Sequence, residues 1–187
     1  MATQINTNQI KDGAVTAAKL SFVPTQVLAM VDTFSKLVDN DGSETAIMTE
    51  TIPGGTLGST GLIVGRIRGW ARNESGSNKT VVLRLKYGAE TLATTGAIDI
   101  PNGITESAVH VDFVLAANAG ESAQLGGLTA GIFLLDEQKT EGGADDGSAS
   151  QDSSGDLDLV VTWDFSAADG ALEYKQYGYE LQFADPG

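Results

Sequence analysis

The chain has 187 residues, 41% of them hydrophobic, with no cysteine, one histidine and a formal charge of −14. That length and apolar content suit one domain of ordinary size, or one domain plus an arm. Disulfides, thiol chemistry, cysteine-bound metals and a multi-histidine metal site within one chain are excluded, and the charge opposes binding to phosphate backbones.

Residues 1–24 read as an arm. Their apolar residues Ile5, Ile10, Val15 and Leu20 recur every five positions, a period that fits neither a helix face nor a strand face. Such a segment cannot bury its side chains against itself, so it is either a flexible arm or an extended peptide laid on another surface, with Ile5, Ile10, Val15, Leu20 and Phe22 as the expected anchors to that surface or to a neighbouring subunit. Pro24 closes the segment and biases Val23 to extended backbone. The start lacks the basic and apolar regions of a secretory signal, and no apolar run is long enough to span a membrane. The expected product is made in a cytoplasm and stays soluble unless it leaves as part of a larger particle.

Residues 25–38 carry a short helix-like stripe (Val27, Met30, Val31, Phe34, Leu37) and read as a strand or a helical turn. Asp39-Asn40-Asp41-Gly42 is a turn by chemistry. From about residue 45 the period becomes two. Strands are expected at 45–52, 61–72, 79–88, 89–93, 107–115, 128–135, 157–165 and 177–183. Val81, Leu83, Leu85 and Tyr87 should face inward, as should Val109, Val111, Phe113 and Leu115, then Leu157, Leu159, Val161, Trp163 and Phe165. Tyr177, Tyr179, Leu181 and Phe183 share a side, whereas Leu172 and Tyr174 have the other parity, so a bulge is expected near Lys175–Gln176. Between two of these strands, residues 136–158 hold eight acids against one Lys among Gly, Ser, Ala and Gln, and read as a long exposed acidic loop. The whole predicts an all-β chain: an antiparallel β-sandwich of jelly-roll type over 25–187, with an extended N-terminal arm.

The candidate sites are few. His110 beside Asp112 offers acid–base chemistry, but no nucleophile elbow, phosphate loop or dinucleotide fingerprint accompanies it, and a surface histidine is the expected reading. The acids Asp112, Asp156 and Asp158 are the nameable carboxylates for glycan hydrolysis, without specific support. No cofactor is expected. A weak calcium site in the acidic loop or in Asp39–Glu44 is the alternative to plain solvation, though neither has the spacing of an EF-hand loop. Asn73-Glu74-Ser75 and Asn78-Lys79-Thr80 match a glycosylation pattern, but read better as a hairpin turn. All four arginines, Arg66, Arg68, Arg72 and Arg84, fall in one stretch with Lys79 and Lys86, which suggests a charged interface with an acidic partner, the alternative being a solvated sheet face. Arg66 and Arg68 share the parity of Leu62, Val64 and Trp70, and a face of that mixture resembles an interface more than free solvent surface. Trp163, Tyr174, Tyr177 and Tyr179 offer sugar stacking, yet the shared apolar parity of Trp163, Tyr177 and Tyr179 points to core packing.

The segment Asn8-Gln9-Ile10-Lys11-Asp12-Gly13-Ala14-Val15-Thr16-Ala17-Ala18-Lys19-Leu20 resembles stretches found in tailed-bacteriophage fibre and virion proteins. Gly69-Trp70-Ala71-Arg72-Asn73, Leu83-Arg84-Leu85-Lys86-Tyr87-Gly88, Val160-Val161-Thr162-Trp163 and Gly178-Tyr179-Glu180-Leu181 look like strands of phage jelly-roll modules. The resemblance implies a non-enzymatic virion structural protein, usually a homotrimer, located at the capsid surface. Its partners would be the major capsid protein or another virion protein, with no nucleic acid and no membrane. One copy of the arm motif without a long shaft favours a capsid decoration (cement) protein attached through its arm. The alternative is a receptor-binding tail-fibre or head-fibre tip that binds a host-surface glycan.

Overall fold

The computed structural model describes residues 26–32, 35–38, 42–135 and 139–184. The arm at 1–24 with its anchors Ile5, Ile10, Val15, Leu20 and Phe22, and Asp39–Asp41 of the acidic turn, lie outside the described residues.

Twelve strands are described in chain order: β1 (Gln26–Val31), β2 (Ser35–Val38), β3 (Thr45–Ile52), β4 (Leu62–Asn73), β5 (Lys79–Tyr87), β6 (Glu90–Thr94), β7 (Ile98–Ile100), β8 (Ser107–Ala117), β9 (Gln124–Leu134), β10 (Lys139–Ala149), β11 (Leu157–Phe165) and β12 (Leu172–Ala184). They form two antiparallel sheets. A seven-stranded sheet runs β1-β12-β4-β8-β9-β10, with β2 also on β12, and a five-stranded sheet runs β3-β11-β5-β6, with β7 also on β5. Early and late strands interleave: β1, β12, β4 and β8 in one sheet, β3, β11, β5 and β6 in the other. That is the order of a jelly roll, two Greek keys folded together. The β9–β10 hairpin widens the larger sheet beyond that plan. Residues 25–38, read from sequence as a strand or helical turn, hold β1 and β2.

The period-two pattern fixes which side of each strand is dry. Val81, Leu83, Leu85 and Tyr87 on β5, Val109, Val111, Phe113 and Leu115 on β8, and Leu159, Val161, Trp163 and Phe165 on β11 are all buried. The sheets meet at aromatic rings. Trp163 stacks on Tyr174 of β12 with centroids 4.4 Å apart and planes at 21°, and meets Phe165 edge-on at 5.5 Å. Such ring pairs add about 0.5–1.5 kcal/mol beyond area burial. Gly65 on β4 makes room for the ring of Phe113, since a Cβ there would sit 1.9 Å from it.

The bulge in β12 falls between Gln176 and Gly178, one residue beyond its expected place. It decides the fate of the tyrosines. Before it, Leu172, Tyr174 and Gln176 are buried; after it, Leu181 is buried. Tyr177, expected in the core, is therefore 44% exposed, and Tyr174 is the ring that packs inside.

The expected acidic loop over 136–158 needs correction, because Lys139–Ala149 is a strand. β10 pairs with β9 from Lys139↔Leu134 to Ala149↔Gln124. Its Gly, Ala and acidic composition supplies little core, but an edge strand is held by backbone hydrogen bonds. Its glycines also let it press against β6. A Cβ at Gly147 would lie 2.0 Å from the Leu92 carbonyl oxygen, and one at Gly143 would lie 2.4 Å from that of Thr95. The acids serve as acceptors: Asp145 takes the Thr94 N–H at 2.8 Å and Glu90 takes the Ser150 N–H at 3.1 Å. The remaining turn is pinned by buried Gln124, whose Nε2 donates to the carbonyls of Glu121 and Gln151, and by Asp156, which accepts the Gly54 N–H at 2.8 Å.

Candidate functional site

The two outer faces of the sandwich differ in kind. That of the five-stranded sheet is polar and paired with itself. Arg84 Nη1 lies 2.9 Å from Asp164 and 3.3 Å from Glu44, and Lys86 Nζ lies 2.6 Å from Glu44. Thr162 donates its hydroxyl to Glu44, and Thr51 donates to Asp158 at 2.7 Å. Burial alone would push the Glu44 carboxyl up. The hydrogen bonds from Lys86 and Thr162, with the Arg84 and Lys86 charges, outweigh burial and hold it below its ordinary value.

The outer face of the seven-stranded sheet is open. Register places its side chains in rows across the strands. Leu62, Ala116 and Leu125 form one row, and Val64, Val114 and Gly127 the next, with Gln182 and then Val27 on the β12 side. Arg66, Asp112 and Thr129 follow, flanked by Glu180 and Met30; then come Arg68, His110 and Gly131, and last Trp70, Ala108 and Phe133. The face therefore has an aliphatic end, a charged middle and an aromatic end. Gln26, where residues 1–25 join the sandwich, pairs with Phe183 at the aliphatic end.

Among the described residues the exposed large hydrophobics are Val27, Met30, Val114, Leu125, Phe133, Leu135 and Tyr177. Each lies on or beside the seven-stranded sheet; the five-stranded sheet contributes none of them. Exposed apolar side chains gathered at the two ends of one face, with arginines between them, have the composition of interaction surfaces. An open groove of about 780 Å³ crosses the middle of the face, lined in part by Arg66, Arg68, Asp112, Val114, Gly127, Thr129 and Asp146. A smaller hollow of about 230 Å³ sits at the aromatic end, lined by Trp70, Tyr177, Glu106, Ala108 and Leu135 among others.

The fold separates the four arginines. Arg66 and Arg68 stand in the middle of the open face, both reaching Asp112 Oδ1, at 3.5 and 3.4 Å, with side chains 62% and 49% exposed. Ion pairs this exposed contribute little stability; Arg68 also donates Nη1–H to the Ile67 carbonyl at 3.1 Å, so the Arg66 guanidinium is the more available of the two to a partner. Arg72 is engaged at the sheet's end by Glu74 at 2.9 Å and Glu173 at 2.8 Å, and lies 6.0 Å from the Trp70 ring centroid. Arg84 belongs to the opposite face. His110 is half-buried on β8, and its imidazole covers Gly131, where a Cβ would lie 2.3 Å from Cε1. Asp112, the carboxylate beside it in sequence, is held by the two guanidiniums.

Of the sugar-stacking candidates, Trp163 and Tyr174 are sealed in the core. Tyr179 is half-buried and donates its hydroxyl to Glu50; burial, then that hydrogen bond and the Glu50 charge, push it up to about 12. Tyr177 alone of the four reaches the open face, and Trp70 joins it there. Alternation already put Trp70 and Val114 opposite the core, so the signal for both was present. Tyr177 was hidden by the bulge. Among the described residues, no group of three or more His, Cys, Asp or Glu is placed to hold a metal ion, and no helix is long and apolar enough to cross a membrane.

No family model and no curated protein matches the chain. Among solved structures it is similar to the CBM2 module of the evolved Dit of Lactobacillus casei BL23 phage J-1, at 11% identity and a TM-score of 0.40, over 89% of this chain and 99% of that one. Lectin I of Ulex europaeus, in complex with the methyl glycoside of α-L-fucose, is similar at 10% identity and TM-score 0.33, over 87% of this chain and 92% of that one. A legume lectin-like domain from Entamoeba histolytica gives 10% identity and TM-score 0.28, over 89% and 91%. These are likenesses of sheet architecture, and at such TM-scores they carry no functional reading.

Proposed function

We propose that this chain is a structural, non-catalytic virion protein of a tailed phage. In this reading it is a trimeric capsid decoration protein, bound to the major capsid protein or another virion protein. It attaches through two adjoining features: the arm at 1–24, and the aliphatic end of the seven-stranded sheet's outer face. The observation that supports this most is the one-sided distribution of exposed hydrophobics. Val27, Val114 and Leu125 stand at the same end of the sheet as Gln26, where the arm joins.

The physics favours shared attachment. Ordering an arm costs about 1–2 kcal/mol per residue of backbone, while each fully buried Ile, Val or Leu returns roughly 1.5–3 kcal/mol. One arm is a weak tether. A rigid apolar patch beside it adds burial at little ordering cost, and three copies on a repeating lattice raise the effective concentration of each contact. Bridging neighbouring capsid subunits in this way would raise the barrier to lattice opening. The charge of −14 is consistent with a protein that stays off packaged nucleic acid.

The test is to add purified chain to particles stripped of it and to image them. Trimeric density on the heads, lost when residues 1–24 are deleted, is the expected result. A chain that stays monomeric at high concentration and leaves the heads bare, or that is seen only at the tail, refutes the decoration role.

A further inference from the structure

We propose that the hollow at the aromatic end of the seven-stranded sheet binds one neutral pyranose unit of a glycan, with Trp70 and Tyr177 as its stacking rings and Glu106 as its hydroxyl acceptor. This goes beyond the docking role and does not depend on it.

Three observations converge. First, strand register places Trp70 and Phe133 on the outer face with only Ala108 between them, so a small exposed side chain lies between two rings. The β12 bulge then turns Tyr177 out beside Trp70 at 44% exposure. An aromatic ring that is half dry against the sheet and half open is suited to the apolar C–H face of a sugar: it has large contact area and little rotamer entropy to lose. Second, the hollow is about 230 Å³. Sites for drug-sized ligands run from about 300 to 1,000 Å³, so this one has room for a single ring whose neighbours in a chain extend into solvent. Third, the polar group at the rim is the exposed carboxylate of Glu106. A carboxylate only accepts hydrogen bonds, so it pairs with hydroxyl donors and repels acidic sugars. A chain of charge −14 adds to that discrimination.

The hollow lies at the opposite end of the face from Gln26. A docked aliphatic end would therefore leave it open. Binding one sugar at a shallow site is weak, with Kd on the order of 1 mM, and becomes useful when several copies act together.

The chain has two tryptophans, and Trp163 is sealed, so a ligand-induced change in emission reports on Trp70. The full chain is titrated with methyl α-glucoside, methyl α-galactoside and N-acetylglucosamine up to about 50 mM, with glucuronic acid as the acidic comparison. Protein-detected NMR provides a second readout, and it alone reads the Trp70 variants, which lack the emitting reporter. The expected result is saturable binding of at least one neutral sugar. It should weaken at least roughly tenfold in Tyr177→Ala and Trp70→Ala, and less in Trp70→Phe and Glu106→Gln. It should not change in a Val114→Ser/Leu125→Ser variant. Tyr177→Ala keeps the test decisive should Trp70→Ala not fold, because Tyr177 is already exposed. The proposal is overturned if no neutral sugar saturates, if glucuronic acid binds more tightly, or if Tyr177→Ala binds as well as the parent.

Discussion

The docking role can be tested at three side chains. Val27, Val114 and Leu125 are 57%, 40% and 46% exposed, so about half of each side chain's transfer free energy is still unrealised in the free protein. Full burial of such a side chain is worth roughly 1.5–3 kcal/mol, so the exposed portions of the three together hold about 2–4 kcal/mol. Val27→Ser, Val114→Ser and Leu125→Ser combined would forfeit that term on docking, weakening each binding event roughly thirty- to several-hundredfold. Because the three project from the outer face and already meet solvent, the folded state should lose only a few degrees in Tm. The assay is titration of emptied particles at low occupancy, where multivalent rebinding contributes least, with circular dichroism as a fold control. A folded triple variant that binds with the affinity of the parent would refute the assignment of this surface. An equal loss on mutating Thr49, Thr80 and Val160 of the other outer face would show that the effect is not specific to it.

Three further outcomes follow from the core and its edges. Tyr174 is buried with no hydrogen-bond partner for its hydroxyl among the described residues, so Tyr174→Phe removes a desolvation cost and should be neutral or stabilising by about 1 kcal/mol in urea unfolding; a loss of that size would reveal a partner. Gly147→Ala would place a Cβ 2.0 Å from the Leu92 carbonyl, so it should destabilise by about 1–3 kcal/mol, and an unchanged midpoint would show that β10 does not press on β6. Tyr87 is pushed up to about 12 by burial, and Tyr179 to about 12 by burial and Glu50. Their protonated forms therefore contribute stability that is complete below the unfolded value of 10.0 and is lost as pH rises through about 12. In a Tyr177→Phe background, which removes the exposed tyrosine, tyrosinate absorbance and unfolding should rise together in that window; tyrosinate that appears there while the fold persists would refute the coupling.

Much of the sandwich was legible because burial on one face imposes a period of two. The edges expected for β3 and β11 coincide with the observed strands, and the dry sides of β5, β8 and β11 follow from alternation alone. Two features escaped for physical reasons. β10 carries no apolar period because an edge strand needs none: backbone hydrogen bonds, glycines that allow close approach and carboxylates that accept N–H groups hold it. β7 is three residues long, too short to show a period. In the candidate site, the shared parity of Leu62, Val64, Arg66, Arg68 and Trp70 was legible as one face, but the place of Arg84 away from it was not. Arg66 and Arg84 stand on opposite outer faces because they lie on strands of different sheets, and sequence distance says nothing about which sheet a strand joins.

That separation gives the arginines different roles. Arg84 has Asp164 and Glu44 within reach, with Thr162 and Lys86 completing the network, so its charge is compensated inside the chain. Arg66 and Arg68 share a single oxygen of Asp112 at the long end of ion-pair distance and remain half exposed. On a chain of charge −14, and with Asp112, Asp145, Asp146 and Glu180 around them, the two cations offset local repulsion and give an acidic group of a partner its contact on the face that also bears the exposed hydrophobics. Replacing both with Lys keeps the charge but loses the planar fork, so it should leave the association rate nearly unchanged and speed dissociation if the partner's carboxylates are held bidentately. Replacing both with Gln should slow association, most at low salt. Two substitutions that act identically on both rates would argue that these guanidiniums only solubilise the middle of the face, leaving recognition to its aliphatic end.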